Sequence, residues 1–124
     1  MSVKNGKSKV RVGIGRHGRG VFAVRPIKLG ETIEVCPTLE VPSGDISGRL
    51  GDYVFESAET ADHSVLLLGY GMLYNHSADA NADYETHGEQ EIAFVARRPI
   101  APGDEITIDY GAEWWDSRGE TPDE

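Results

Sequence analysis

The stretch Gly13-Ile14-Gly15-Arg16-His17-Gly18, followed by Arg19-Gly20-Val21-Phe22-Ala23-Val24-Arg25-Pro26, decides the fold class. Its first six residues fit G-x-G-x-x-G and follow Lys9-Val10-Arg11-Val12, which alternates as a strand does. A dinucleotide fingerprint needs a helix to open here, so that N-terminal N–H groups can take a pyrophosphate. The residues after it refuse one: Val21-Phe22-Ala23-Val24 has poor helix propensity, and Pro26 would break a helix at its second turn. The stretch therefore reads as two strands joined by a Gly-rich loop, whose backbone can approach a ligand closely. The chain is accordingly read as mostly β.

Working outward, Glu31 to Cys36 reads as a third strand, continued by Leu39 to Val41 beyond Pro37. Ser43 to Gly51 is a polar loop, and Tyr53-Val54-Phe55 is a short apolar piece. Ser64 to Tyr70 reads as either a strand or the start of a helix, since four apolar residues do not decide. Asn81 to His87 alternates weakly, His87-Gly88-Glu89 is a turn, and Glu91 to Arg97 is a strand. Glu105 to Tyr110 alternates cleanly, with Ile106, Ile108 and Tyr110 on one face. An internal echo runs through this order. Phe22-Ala23-Val24-Arg25-Pro26-Ile27 with Gly30-Glu31 resembles Phe94-Val95-Ala96-Arg97-Arg98-Pro99-Ile100 with Gly103-Asp104. Both read as strand, Arg-Pro-Ile, Gly-acid turn, strand.

The length of 124 residues suits one domain with one core, and 15 glycines with 39% hydrophobic residues favour a turn-rich β domain over a helical bundle. No apolar run approaches the roughly 20 residues of a membrane helix, and Ser2-Val3-Lys4-Asn5-Gly6 lacks the apolar core of a secretory signal. Cys36 is the single cysteine, which excludes a disulfide framework or a Cys-rich zinc site within the chain and suggests an intracellular, reducing compartment. The net charge of −9 is uneven: residues 1–30 hold eight Lys/Arg and no Asp/Glu, the remainder four Lys/Arg and 21 Asp/Glu. An acidic body disfavours direct nucleic-acid binding; it either steers a basic partner or is a solvated surface that only aids solubility.

A second stretch carries the chemistry. Gly69-Tyr70-Gly71-Met72-Leu73-Tyr74 follows the apolar run Val65 to Leu68, reads as a turn, and gives way to the polar loop Asn75-His76-Ser77-Ala78-Asp79-Ala80-Asn81. Polar chemistry directly after buried-looking sequence marks a loop held by a rigid scaffold. Three blocks now stand in order: Gly18-Arg19-Gly20-Val21-Phe22-Ala23, then Asn75 to Asn81, then Glu105-Ile106-Thr107-Ile108-Asp109-Tyr110-Gly111. Together they resemble the SET domain, the family of S-adenosyl-L-methionine-dependent protein-lysine methyltransferases, and most of all its small stand-alone viral-type members. The resemblance runs over 9–115, leaving 1–8 as a flexible basic tail and 116–124 as an acidic frayed one. It implies short β-sheets around a C-terminal pseudoknot that brings the Asn-His-Ser block beside the final Asp-Tyr-Gly. Pattern alone does not supply that knot.

The resemblance also implies roles. Tyr110 is the tyrosine at the transfer point, and Tyr53 resembles a channel tyrosine, with a plain core tyrosine as the other reading. Gly18, Gly20 and Asn75 match positions that hold the cofactor's amino-acid end. Arg19 either pairs with the cofactor carboxylate or is simply solvated. His76 either contributes to the adenine site or is structural. Trp114 and Trp115 stand where an aromatic would cover the adenine, with core or dimer packing as the alternative. No metal is implied. Ala80 departs from the family's proline, and the insert over about 37–63, which shapes one wall of the peptide groove, is short. The implied partners are a basic, histone-like protein substrate and a second copy in a homodimer. Two alternatives stay open: a SET-fold module that binds a basic peptide or the cofactor without transfer, and a β domain in which the three blocks coincide by chance.

Overall fold

Alternation places the strands. In Glu105–Ile108, Ile106 and Ile108 are fully buried while Glu105 and Thr107 are only half-buried, the signature of a strand with one face on the core. The computed structural model describes residues 8–111, 114 and 115. The expected tails lie outside the described residues, except for Ser8 at the end of the first.

Nine strands are described: β1 Val10–Gly15, β2 Gly18–Ala23, β3 Thr32–Pro42, β4 Phe55–Glu56, β5 His63–Leu67, β6 Asn75–His76, β7 Ala82–Thr86, β8 Glu91–Ala96 and β9 Glu105–Ile108. Short 3-10 turns at Ser43–Asp45 and Gly48–Asp52 fill the insert after β3. One sheet runs β1-β2-β9-β6, the other β4-β5-β3-β8-β7. The second curls on itself: Phe55 on β4 and Tyr84 on β7, at opposite edges, bring their ring centroids within 5.3 Å. The core between the elements is built from Val21, Ile27, Leu67, Tyr74, Phe94, Ile100, Ile106 and Ile108.

Several expectations need correction. The Gly-rich segment is not a loop. Strand pairing runs to Gly15↔Gly18, leaving only Arg16 and His17 as the turn, with Gly18 at φ 86°. The glycines serve packing instead: a Cβ on Gly15 would lie 2.6 Å from the Phe22 ring, which rests flat on this face of the hairpin. The Ser64–Tyr70 ambiguity resolves as strand, because β5 is paired on both sides, by β3 and by β4. Asn75 and His76 are not loop residues; they form β6, parallel to β9. β3 passes straight through Pro37, which is where the strand changes partner from β8 to β5. A residue without an N–H is tolerated where a ladder hands over.

The sequence echo has a structural counterpart. Ile27 and Ile100 pair with each other through two reciprocal hydrogen bonds of 2.9 Å. Ala23 accepts from Gly103 N–H and donates to Asp104, and Ala96 accepts from Gly30 N–H and donates to Glu31. Each turn is closed by its acid: Lys28 N–H donates to the Glu31 carboxylate and Ala101 N–H to that of Asp104. The two copies thus brace one another about a local two-fold relation, and the second delivers β9 into the centre of its sheet.

Candidate active site

β9 lies between β2 and β6, so both glycine-rich and Asn-His-Ser blocks are fixed to it. Asn75 pairs with Thr107 and His76 with Ile108, and Ser77 N–H continues the ladder to Ile108 O at 3.0 Å. Asn81 extends the grip with its side chain, donating to Glu105 O and accepting from Thr107 N–H, each at 2.9 Å. Arg98 clamps the intervening loop by donating to the Asp79 and Ala80 carbonyls.

On the open face of this sheet, Asn75 Nδ2 donates to Arg19 O at 2.9 Å and to Glu105 Oε2 at 2.7 Å. Gly20 lies directly beneath them: an added Cβ would collide with the Glu105 carboxylate and stand 2.8 Å from Asn75 Nδ2. Glycine is required here by close approach, not by dihedral freedom. Gly18 and Arg19 are exposed beside this cradle.

Tyr110 stands two residues past Ile108, the last residue of β9. Its N–H donates to His76 Nδ1 at 3.1 Å and its hydroxyl to Tyr74 O at 2.8 Å. Tyr74, stacked on Phe94 with centroids 4.3 Å apart, is held in turn by Glu34, which accepts from its hydroxyl at 2.7 Å and from Tyr70 N–H at 2.9 Å. Burial, reinforced by the Glu34 carboxylate, pushes the Tyr74 phenol far above its ordinary range, so it remains a donor. Because His76 Nδ1 is an acceptor, the neutral ring carries its proton on Nε2. That Nε2 and Trp115 Nε1 are buried without a hydrogen-bond partner among the described residues. The rings of His76, Tyr110, Trp114 and Trp115 form one cluster, with His76–Trp115 centroids 5.1 Å and Tyr110–Trp114 centroids 4.6 Å apart.

The cluster divides the two tryptophans. Trp115 faces His76, whereas Trp114 and Tyr110 line an open groove of about 960 Å³. Phe55 and Tyr84 supply its aromatic walls, and Glu40, Glu56, Glu59, Glu85, Glu89 and Glu91 line it without any Lys or Arg among the described residues. Burial, then the Asp109 charge, raises the Tyr84 phenol. Tyr53 is 39% exposed, after the Gly48–Asp52 turn, and does not line this groove.

The structure therefore brings Gly20, Arg19 backbone, Asn75, His76, Tyr110, Trp114 and Trp115 to β9 and its ends. Glu105, Glu34, Phe55 and Tyr84 were missed. Glu105 opens the third family block and lies on the polar side of an alternating strand, but nothing local announces a partner thirty residues earlier in the chain.

The SET domain profile matches residues 18–111. The chain belongs to the SET domain family. The SET domain here is 38% identical to a candidate histone methyltransferase of Plasmodium falciparum of known crystal structure, with a TM-score of 0.74, covering 88% of this chain and 98% of that one. It is 29% identical over 106 residues to the histone-lysine N-methyltransferase, H3 lysine-37 specific, of Schizosaccharomyces pombe, covering 81% of this chain and 71% of that protein. It is 31% identical over 110 residues to a histone-lysine N-methyltransferase of Gibberella zeae, covering 85% of this chain but only 17% of that much longer protein. Its homologues are thus histone-lysine methyltransferases.

Proposed function

We propose that this SET domain transfers a methyl group from S-adenosyl-L-methionine to a lysine ε-amine of a basic protein, in the manner of a histone-lysine methyltransferase. The observation that carries the reading is the glutamate-lined groove that includes Tyr110, whose backbone N–H is bound to His76 next to Asn75 of the cradle. The cradle fits the donor: a glycine floor that excludes any Cβ, carbonyl and amide groups for an amino-acid end, and two buried, unsatisfied N–H groups beside aromatic rings suited to a purine.

When bound, the cofactor supplies an electrophilic methyl on a positively charged sulfur. The chain's own residues do the remaining work. Gly18, Gly20 and Asn75 hold the amino-acid end, and Arg19 is assigned to its carboxylate. His76 and Trp115 flank the adenine. The six groove glutamates attract a cationic peptide and orient it along the groove. Free lysine has a pKa near 10.4, so fewer than about one amine in a thousand is neutral at pH 7. Phe55, Tyr84, Trp114 and Tyr110 strip water from the entering amine, which favours its neutral form. Tyr110 donates its hydroxyl proton to Tyr74 O, which fixes the hydroxyl at the groove so that its oxygen can orient the approaching amine. The role of Tyr53 as a channel wall rests on the resemblance alone, since it lies exposed after the Gly48–Asp52 turn and outside the groove.

We further propose an intracellular, reducing compartment, from the single cysteine, and a homodimeric active form, from the resemblance to small viral-type members. Incubating the chain with labelled S-adenosyl-L-methionine and a panel of basic peptides tests the function. Label on lysine supports it. Cofactor binding with no transfer to any basic protein of the source organism would favour the non-catalytic module instead.

A further inference from the structure

Glu105 is the carboxylate on β9 that the cradle is built around. It shares one face of the sheet with Arg11, Gly13, Gly15, Gly18, Gly20 and Phe22, as the pairings Phe22↔Glu105 and Gly13↔Gly20 require. It is half-buried, and no Lys, Arg or His of the described residues lies within ion-pair distance of it. Its Oε2 takes the Asn75 amide at 2.7 Å, while Oε1 stands 3.7 Å from where a Cβ on Gly15 would lie. A partly desolvated carboxylate with only a neutral donor is poorly compensated, and a cation is the partner that compensates it.

The neighbouring atoms set the sign of the site. Asn75 Nδ2 is spent on two acceptors, Glu105 Oε2 and Arg19 O, which leaves Oδ1 as the remaining group of that side chain. Glu105 Oε2 and Arg19 O are both acceptors, bridged by the Asn75 amide. They meet over a floor kept clear by Gly20, where even one added carbon would strike the carboxylate.

We infer that Glu105 is the anionic ligand for the α-ammonium of the cofactor and the group that fixes the Asn75 amide in its binding orientation. The inference rests on the S-adenosyl-L-methionine reading. It assigns the positive end of the amino-acid moiety to a charged side chain on the central strand, and leaves the carboxylate end to the Arg19 side of the cradle.

Calorimetric titration tests it without any turnover, using S-adenosylhomocysteine and its deamino counterpart on wild type, Glu105→Gln and Glu105→Asp. Wild type should lose about 10- to 100-fold in affinity when the ammonium is removed, the range for a hydrogen bond to a charged group. Glu105→Gln should lose a similar factor towards S-adenosylhomocysteine yet bind the deamino compound within about twofold of wild type, because the two changes delete one interaction. Glu105→Asp, which keeps the charge, should recover part of the loss. Equal weakening towards both ligands would mean that Glu105 acts through the fold alone and overturns the inference. So would unchanged binding of S-adenosylhomocysteine by Glu105→Gln. Should the variant not fold, equal binding of the two ligands by wild type is sufficient to overturn it. If wild type binds S-adenosylhomocysteine not at all, the cofactor reading itself is wrong, a result distinct from the others.

Discussion

The two faces of the site are built in opposite ways. The cradle is made of short, directional contacts on a central strand: Asn75 to Arg19 O and Glu105, Asn81 to β9, and a glycine wherever a carbon would intrude. The groove is made of glutamates spread over four strands and the loops between them, with the exposed His63–Glu40 pair at 3.1 Å as one of its fixed polar contacts. The difference teaches where geometry matters and where only charge does. A donor that must be aligned for displacement needs atoms held to within tenths of an ångström. A cationic peptide needs only a surface of the right sign. Substitutions in the cradle should therefore act steeply and singly, those in the groove weakly and cumulatively.

The largest effect belongs to the junction between the faces. Tyr110→Phe keeps the ring contacts with Trp114 and His76 but loses the bond to Tyr74 O, and should lower kcat by about 100-fold or more with cofactor affinity little changed. Single-turnover and titration measurements on the same sample separate the two. Next comes Asn75→Ala, expected to weaken S-adenosylhomocysteine binding about 10- to 100-fold while kcat at saturating cofactor falls much less. The reverse pattern in these two variants would exchange their roles. Reversing two groove charges, Glu56→Lys with Glu85→Lys, should raise the KM for a basic peptide roughly tenfold, with an effect that shrinks as salt is added. Cofactor affinity should not move; if it does, the two faces are not separate.

The smallest effect concerns the core behind the cradle. Burial, with the Glu34 carboxylate next, pushes the Cys36 thiol up to about 12. Below pH ~8.5 the thiol is protonated in both folded and unfolded chains, so it costs nothing there. Above that, the unfolded chain ionises first and stability falls as pH climbs towards the folded value. Denaturant melts between pH 8 and 10 should show a decline that Cys36→Ala removes. In the folded protein at pH 8, alkylation of Cys36 should be slow, since the thiolate is the reactive form.

Sequence reading reached most of the strands because the residues concerned alternate or are β-branched: Val21 to Ala23, Glu91 to Ala96 and Glu105 to Ile108 carry their own period. It failed at Gly13 and Gly15, read as part of a loop although they lie within β1 and seat Phe22, whereas Gly18 does take the positive φ of a turn. It failed also at Asn75-His76, too short to show a period and made a strand only by β9 alongside. The Arg-Pro-Ile echo was visible as a repeat, but that its two copies bond to each other is a tertiary fact. Among site residues, Asn75, Gly20 and Tyr110 stood out through the family blocks. Glu34, Phe55 and Tyr84 did not, because each acquires its place from a partner far along the chain, and Glu105, though it opens the third block, gained its role only from Asn75.

The central claim is that the Asn75 cradle and Tyr110 form a single transfer site serving the acidic groove. Transfer of labelled methyl from S-adenosyl-L-methionine to a lysine-rich basic peptide, compared between wild type and Tyr110→Phe at saturating cofactor, tests it most directly. The account predicts label on lysine with wild type and a rate lower by about 100-fold or more with the variant. Equal rates from both proteins would contradict it.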